Sequence, residues 1–479
     1  MRVRVRLRAD GRPRELVLRD GRQPRQLAGQ PVLGLREARQ DQGQGVPHLL
    51  VVGQRPSLAA LVAPRQLHSV NPEGDFVPLP AVVARRAARS SLPPPEEGLR
   101  GQRPRSDTLG LYVHVPFCTK KCYFCSFNTA PMDEGSMRRY LDALHREIDL
   151  VAAAPWASRT RLESAFFGGG TPSLLSGAEL NGILDHVRER LALAEGFEVT
   201  VESNPESLDL EKLRRYRASG VNRISLGVQA MDDAILPAIG RLHDAHGSRH
   251  AFALCREAGF DNVSVDLVYG LPGLDLEGWT RAIRAVLDWE PDHLSAYGLT
   301  LDDGSLWGAT GVRGLPPEEA VVAQYWALAH EARDRGLEHY EISNYARPAR
   351  RSRHNQIYWR RGEYLALGPG ACGFVGDVRY ANVKPIARYA ALLEGGALPI
   401  ERAEHLTADQ ALAERLFLGL RTADGVARET LDERVDATPA LRGRVDEWLG
   451  EGLMERRGAR VRLTERGFLV SDALFVDLL

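Results

Sequence analysis

The chain has 479 residues, of which 44% are hydrophobic, and this is enough apolar sequence for two or three domains with sizeable cores. Its 62 basic and 63 acidic residues nearly cancel, so the molecule as a whole lacks the positive field that collects nucleic acid. Its five cysteines, three of them within eight residues, exclude a secreted disulfide framework, and the lack of a long apolar run or a signal-peptide core predicts a cytoplasmic protein.

The first 107 residues differ from the rest in charge. They contain 19 arginines, no lysine and 10 acidic residues, a balance of +9 that leaves −10 for the remainder. Residues 85–106 are rich in proline, arginine and serine, as linkers are. We therefore predict that residues 1–107 form a poorly ordered basic extension with a linker. A small β-rich appendage, a nucleic-acid arm and non-native sequence from an early start codon are the alternatives.

From about residue 108, short β-rich runs alternate with amphipathic helical patterns. The predicted strands lie near residues 110–115, 163–168, 198–202, 222–228, 262–268 and 293–299, with a further strand at 339–343. Repeated strand–helix units indicate a parallel sheet with helices outside it. We predict an α/β core over residues 108–345 that forms a partial (β/α)6 barrel and binds its ligands at the carboxyl ends of the strands.

The pattern becomes helical from about residue 407. A helix begins at Thr407, two shorter helices follow, and a hairpin that turns at Gly458 precedes a last helix from Thr464. Helices followed by a hairpin are typical of a winged helix, so we predict a small helical, winged-helix-like domain over residues 407–479. Such a shape is more often a packing module than a DNA-binding one when basic residues do not cluster on it, and we expect a packing module here.

Three cysteines, Cys118, Cys122 and Cys125, follow the first predicted strand of the barrel. Thiolates at this spacing can each bind one iron of a [4Fe–4S] cluster. The fourth iron then has no protein ligand and can chelate the amino and carboxylate groups of S-adenosylmethionine (SAM). A zinc site would need a fourth cysteine or histidine, and none is nearby; three structural cysteines are the remaining alternative.

The cysteine motif and its context resemble the radical-SAM superfamily. The resemblance runs from about residue 108 to the end of the chain and includes the turn Phe167-Gly-Gly-Gly-Thr-Pro172 after the second strand. Polar residues Glu202, Gln229 and Asp266 are predicted to end successive strands. The resemblance implies that these residues and several others contact SAM: Tyr112, Phe124, Gly169, Gly170, Thr171, Glu202, Gln229, Arg241 and Asp266. Each alone could be an ordinary group at a strand end or on the surface.

Within the superfamily, the surrounding sequence is similar to the branch that contains oxygen-independent coproporphyrinogen III dehydrogenase and the HemW-type heme chaperones. The dehydrogenase typically has a further cysteine two positions beyond the third, where this chain has Phe127. The string His354-Asn-Gln-Ile-Tyr-Trp359 marks HemW-like proteins. The resemblance therefore favours the chaperone branch.

This resemblance makes the region 346–406 a candidate heme site. The neutral imidazole of His354 can ligate heme iron, and its aromatic neighbours can line a porphyrin. The alternative is that the string only caps a loop and packs a core edge. Relatives commonly carry histidine at the position of Cys372, in the glycine loop 368–373, so Cys372 is a second candidate ligand.

The sequence is compatible with two main functions. The first is a heme chaperone with a [4Fe–4S] cluster, SAM and heme as cofactors, which delivers heme to an acceptor protein, soluble or membrane-associated. The second is a radical enzyme in which an electron from an unidentified donor cleaves SAM, and the resulting 5′-deoxyadenosyl radical starts decarboxylation of porphyrinogen propionates. A radical enzyme acting on another tetrapyrrole is a third, weaker candidate. The sequence does not specify the oligomeric state.

Overall fold

A computed structural model of the protein describes residues 104–478, together with the backbone of two short strands, β1 (His68–Val70) and β2 (Phe76–Pro78). These two strands pair antiparallel. The other predictions for the basic extension, including its poor order and the β-rich alternative, lie outside the described residues.

Six parallel strands form the centre of the main sheet and lie side by side in chain order. They are β3 (Thr108–Val115), β6 (Arg161–Gly169), β7 (Ala192–Ser203), β8 (Arg223–Gln229), β9 (Val263–Tyr269) and β10 (His293–Gly298). A two-residue pair, β4 (Phe117–Cys118) and β5 (Ala130–Pro131), follows β3. The predicted parallel α/β core is confirmed, and it aligns the carboxyl ends of the six strands at one edge.

Helices connect these strands. They are α1 (Glu134–Ala152), α2 (Gly177–Arg190), α3 (Leu210–Ala218), α4 (Ile235–Ala238), α5 (Ala245–Glu257), α6 (Leu276–Leu287), α7 (Leu306–Thr310) and α8 (Glu318–Asp334). Local sequence sets their ends. Ser176 and Glu179 form a reciprocal capping box at the start of α2, and Gly220 follows α3 with a φ of +92°.

The sheet continues beyond the predicted barrel on both sides. At one edge lie β11 (Glu338–Glu341) and β12 (Asn344–Ala346), and at the other lie β13 (Tyr364–Leu367), β14 (Cys372–Val375), β15 (Val378–Asn382) and β16 (Ile400–His405). Two helices, α9 (Arg353–Trp359) and α10 (Ile386–Glu394), belong to this part. Residues 364–405 contribute four of the twelve strands, and they join the sheet because β13 pairs in parallel with β3.

The C-terminal part has its own apolar core, which includes Leu416, Trp448 and Met454. Its elements are α11 (Ala408–Leu420), β17 (Val426–Ala427), α12 (Arg428–Ala437), α13 (Leu441–Gly450), β18 (Met454–Arg457), β19 (Arg460–Leu463), α14 (Glu465–Leu469) and α15 (Ser471–Leu478). The expected helix start at Thr407 and the hairpin turn at Gly458 are both present. Within residues 104–478, no helix combines the length and the apolar character needed to cross a membrane.

Candidate functional site

The three cysteines lie in a loop at the carboxyl end of β3. Cys118 ends β4, and the amide of Cys125 donates to the carbonyl of Cys122 at 3.1 Å. The loop is held from outside, because the amide of Tyr123 donates to the carbonyl of Ile239 at 3.2 Å and the amide of Trp307 donates to the carbonyl of Tyr123 at 2.9 Å. All three thiols are free and partly accessible. The sequence thus places three free thiols where the parallel strands end.

Two of the thiols accept hydrogen bonds from opposite walls of the site. Thr171 Oγ1 lies 3.5 Å from the Sγ of Cys118, and Arg241 Nη1 lies 3.5 Å from the Sγ of Cys122. Burial raises the pKa of Cys118, and it raises the pKa of Cys125 to about 12. Bound metal is therefore what would hold these groups as thiolates.

The three thiols suit an iron–sulfur cluster better than a site for a single metal ion. Among residues 104–478, no three His, Cys, Asp or Glu side chains converge on one point as ligands of a single ion. Each thiolate of a [4Fe–4S] cluster binds a different iron and so has no need to converge. Free thiols that accept hydrogen bonds from Thr171 and Arg241 suit such a cluster, since bonds to sulfur tune iron–sulfur centres.

The glycine turn after β6 passes close to the cysteine loop. A Cβ on Gly170 would lie 2.5 Å from the carbonyl oxygen of Phe117, and Gly169 has a φ of +106°. The amide of Gly169 donates to Glu202 Oε2 at 3.3 Å. Glycine is required here, because the turn lies between β4 and the end of β7 and has no room for a side chain at Gly170.

A chain of polar side chains links the two sulfur-contacting groups. Arg241 Nη2 donates to Asn204 Oδ1 at 2.8 Å, and Asn204 Nδ2 donates to Thr171 Oγ1 at 3.3 Å. Arg241 also donates to the carbonyl of Gly227 at 2.6 Å. Sequence reasoning missed Asn204, although it follows directly after β7 in the same segment as Glu202. Its position just beyond a strand end was the available signal.

The predicted strand-end residues differ in depth. Glu202 and Gln229 lie at the ends of β7 and β8, and Gln229 adopts the left-handed backbone (φ 69°) at an irregularity in the β8–β9 ladder. Asp266 does not end its strand, contrary to the prediction. Residues 267–269 continue β9 along β10, so Asp266 lies at the level of Ser295, where it accepts hydrogen bonds from Ser225 at 3.1 and 3.0 Å.

The two predicted aromatic contacts lie on different sides of the site. Tyr112, on β3, donates or accepts a hydrogen bond with His114 Nδ1 at 3.0 Å, and its ring stacks on that of Phe166 at 6.4 Å. Phe124 packs against Trp307, with 6.3 Å between ring centroids. Tyr112 therefore belongs to the interior of the barrel, and Phe124 belongs to the cysteine loop.

His354 lies inside the molecule, near the start of α9, with 1% of its surface exposed. Its Nδ1 lies 2.8 Å from Ser164 Oγ, its Nε2 lies 2.8 Å from the hydroxyl of Tyr358, and its ring stacks on that of Phe166. Burial, with Arg223 nearby, lowers the pKa of His354 to about 3, so the imidazole is neutral. Both ring nitrogens have partners, and one of these bonds must open before His354 can ligate iron. This arrangement supports the packing alternative for the string.

Cys372, the second predicted heme ligand, is 5% exposed at the start of β14, and burial raises its pKa to about 12. The glycine loop before it is held by Glu147, whose Oε2 accepts from the amide of Gly368 at 2.8 Å. Asn128 joins this loop to the cysteine loop. Its Nδ2 donates to the carbonyls of Pro369 and Lys384, at 3.0 and 3.1 Å.

Comparison with known proteins agrees with this geometry. The model of the radical SAM superfamily matches residues 112–286, and that of the HemN C-terminal domain matches residues 406–470. A protein of Mycobacterium tuberculosis named heme chaperone HemW is 36% identical over 377 residues, which cover 78% of this chain and 95% of that protein. The chain belongs to the HemW family of radical SAM proteins.

Two further likenesses support the family and the fold. The HemW of Bacillus subtilis is 33% identical over 370 residues, which cover 76% of this chain and 97% of that protein. The solved structure of coproporphyrinogen III oxidase (HemN) from Escherichia coli superposes with a TM-score of 0.69 at 23% identity, covering 79% of this chain and 90% of that one, and so shows a shared fold. Membership in the radical SAM superfamily implies a [4Fe–4S] cluster and SAM.

Proposed function

We propose that this protein is a heme chaperone that binds a [4Fe–4S] cluster, SAM and heme, and passes heme to an acceptor protein. The observation that carries the proposal is the similarity over nearly the full length of relatives named heme chaperone, at 33–36% identity. Phe127, at the position where the dehydrogenase branch has a cysteine, supports the same branch.

The cluster site of the proposal consists of Cys118, Cys122 and Cys125. Thr171 and Arg241 stabilise it by donating hydrogen bonds to two of the sulfurs. Between the strand ends and the cysteine loop, SAM would be held by the glycine turn and by the polar and aromatic residues around it: Tyr112, Phe124, Gly169, Gly170, Thr171, Glu202, Gln229, Arg241 and Asp266. SAM bound to the iron that has no protein ligand would either take part in one-electron chemistry or complete the coordination of the cluster.

The heme part of the proposal rests on α9. His354 is neutral, and its ring lies among the flat side chains of Phe166 and Tyr358. An imidazole nitrogen gives heme iron an axial bond, and aromatic faces bury porphyrin surface favourably. Opening the bond between His354 and Tyr358 would free Nε2 for the iron, and Cys372 is the second candidate. We further propose a cytoplasmic location, since the free thiols suit a reducing compartment.

The deciding experiment uses the full chain, reconstituted anaerobically, and offers it heme and coproporphyrinogen side by side. We expect a heme absorption spectrum, transfer of heme to an apo-acceptor such as a heme-free cytochrome, and no decarboxylated porphyrinogen. Multiple turnovers of coproporphyrinogen with consumption of SAM would refute the chaperone proposal. They would favour a decarboxylating enzyme, the alternative suggested by the fold shared with coproporphyrinogen III oxidase (HemN).

A further inference from the structure

A pocket of about 240 Å³ lies between α9 and the C-terminal elements, away from the cysteine loop. Its wall is formed by side chains from the loop before α9, α9 itself, α11, the start of α12 and β19. Four of these side chains are arginines, Arg351, Arg360, Arg415 and Arg460, and the single acidic one is Asp424. Four cations from four separate segments therefore face one small volume.

Two of the arginines are fixed by the protein. Arg351 Nη1 lies 3.1 Å from Asp424 Oδ1, and its guanidinium lies 5.4 Å from the centre of the Tyr340 ring. Arg460 donates to the carbonyls of Asp424 and Gly425, both at 2.6 Å. These contacts orient the two guanidinium groups before any ligand arrives, which lowers the entropy cost of binding one.

The other two arginines are free to move toward a ligand. Arg360 is exposed and donates only to Gln356 Oε1, at 3.0 Å, and Arg415 is exposed and makes no ion pair within residues 104–478. Asp424 lines the pocket and Glu338 Oε2 lies 3.3 Å from Arg351 Nη2, so the four arginines and these two acids carry a net charge of +2. Such a convergence of like charge is unfavourable unless an anion neutralises it.

Backbone groups add to the same field. Val426, Ala427 and Thr430 line the pocket, and Ala427 is the N-cap of α12, where no side chain accepts a hydrogen bond from the first turn. The positive end of a helix dipole favours an anion, and the start of α12 lies at the wall of this pocket, although the amide of Arg428 already donates to the carbonyl of Ala459 at 3.0 Å.

We propose that this pocket binds a small ligand with two neighbouring oxyanion groups, a diphosphate or a pair of carboxylates. Guanidinium groups bind such oxygens in pairs, and several that converge suit more than one negative charge. The volume suits two anionic groups and not a whole porphyrin or nucleoside. A diphosphate and the paired propionates of a porphyrin share this chemistry.

The pocket lies against helix α9, which also carries His354, the predicted heme ligand. Helix α9 presents Gln356, Trp359 and Arg360 to the pocket, whereas His354 and Tyr358, on the same helix, hydrogen-bond to each other inside the barrel. An anion in the pocket would join the C-terminal elements to the helix that carries the predicted heme ligand. An anion can bind this pocket whether or not the protein carries heme, and pyrophosphate and heme are therefore both used as probes.

The test compares wild type with the double variant Arg360→Ala/Arg415→Ala in the full, reconstituted chain. The matched control is Arg138→Ala, since Arg138 is also exposed and lies on α1, outside the pocket. Calorimetric titration with pyrophosphate is the first arm. Titration with heme and with heme dimethyl ester, in which both propionates are blocked, is the second. Thermal melting and iron content show that each variant is folded.

Wild type and the control should bind pyrophosphate, or bind heme more tightly than its ester, and the double variant should lose at least tenfold in that affinity. Loss confined to pyrophosphate identifies a diphosphate ligand, and loss confined to the heme–ester difference identifies porphyrin propionates. The inference is overturned if wild type shows neither effect, or if the double variant or the charge reversal Arg415→Glu matches wild type in both arms. Heme binding and pyrophosphate binding that both persist unchanged in all variants would refute this pocket and leave the proposed function intact.

Discussion

Replacing Tyr358 by phenylalanine tests whether His354 is the heme ligand. The expected result is tighter heme binding, whereas a substitution that only disturbs the structure would weaken heme binding. The hydroxyl of Tyr358 is the partner of His354 Nε2 at 2.8 Å, and its ring also packs edge-on against Tyr364 at 4.6 Å. Phenylalanine keeps the ring contact and removes the hydroxyl. If Nε2 binds iron, the hydrogen bond must break on heme binding, so a chain that lacks it binds heme more tightly.

The size of the effect follows from the bond that is removed. A neutral buried hydrogen bond contributes about 0.5–1.5 kcal/mol net, which corresponds to an affinity gain of about 2- to 12-fold. The heme-free variant should at the same time lose about 1–3 kcal/mol of stability, since Nε2 is left unpaired in the interior. A weaker fold with tighter heme binding is the expected pair of results.

Heme titration followed by absorbance, with urea unfolding of the heme-free protein, measures both quantities. Ser164→Ala removes the partner of the other ring nitrogen, at 2.8 Å, and should weaken heme binding because the imidazole loses its orientation. Tyr364→Phe, which removes a neighbouring hydroxyl, is the matched control and should leave the affinity unchanged. Wild-type or weaker heme affinity in Tyr358→Phe would refute His354 as the iron ligand through Nε2.

Further predictions concern the cluster, its surroundings, pH and the start of the folded region. Cys122→Ala should lose the [4Fe–4S] absorbance while Cys255→Ala, a fully buried core residue, keeps it; a full cluster in the former would contradict the ligand set. Asn204→Ala should keep the cluster but lower its reduction potential by about 20–60 mV, because the donors to two sulfurs lose their link; an unchanged potential in voltammetry would contradict this. Since burial lowers the pKa of His354 to about 3 from 6.5, the imidazole stays unprotonated, and heme affinity should be flat from pH 8 to pH 5.5; a tenfold loss per pH unit below 6.5 would indicate an exposed histidine instead. A chain that starts at Pro104 should fold and bind both cofactors, as shown by iron content and SAM titration; failure to fold would make the preceding residues part of the domain.

The parallel core could be predicted because each strand is a short apolar run bounded by a clear helix signal. The strands of residues 364–405 could not, since β13 to β16 are four to six residues long and no amphipathic helix separates β13, β14 and β15. Their place in the sheet depends on the long-range pairing of β13 with β3. Local patterns carry no information about such a partner.

The site divides in the same way. The cysteine spacing predicts the sulfur ligands without any long-range contact, because the three residues are close in sequence. The position of Asn204 beyond a strand end could have marked it as a candidate, but its partners could not be assigned from sequence, since Thr171 and Arg241 lie 33 and 37 residues away. The depth of Asp266 also escaped prediction, because the end of β9 depends on how far the neighbouring β10 continues.

The hydrogen bonds of Asn128 fix the number of residues between the third cysteine and Asn128. Asn128 is three residues beyond Cys125 and is tied to the carbonyls of Pro369 and Lys384, while its own carbonyl accepts from His114 Nε2 at 2.9 Å. An inserted or deleted residue between Cys125 and Asn128 would displace either the sulfur ligand or this junction. The turn at Gly458 is exposed, and the one bond that reaches it from outside the hairpin within residues 104–478 runs from the amide of Arg428 to the carbonyl of Ala459 at 3.0 Å, so a length change there leaves the cysteine loop in place.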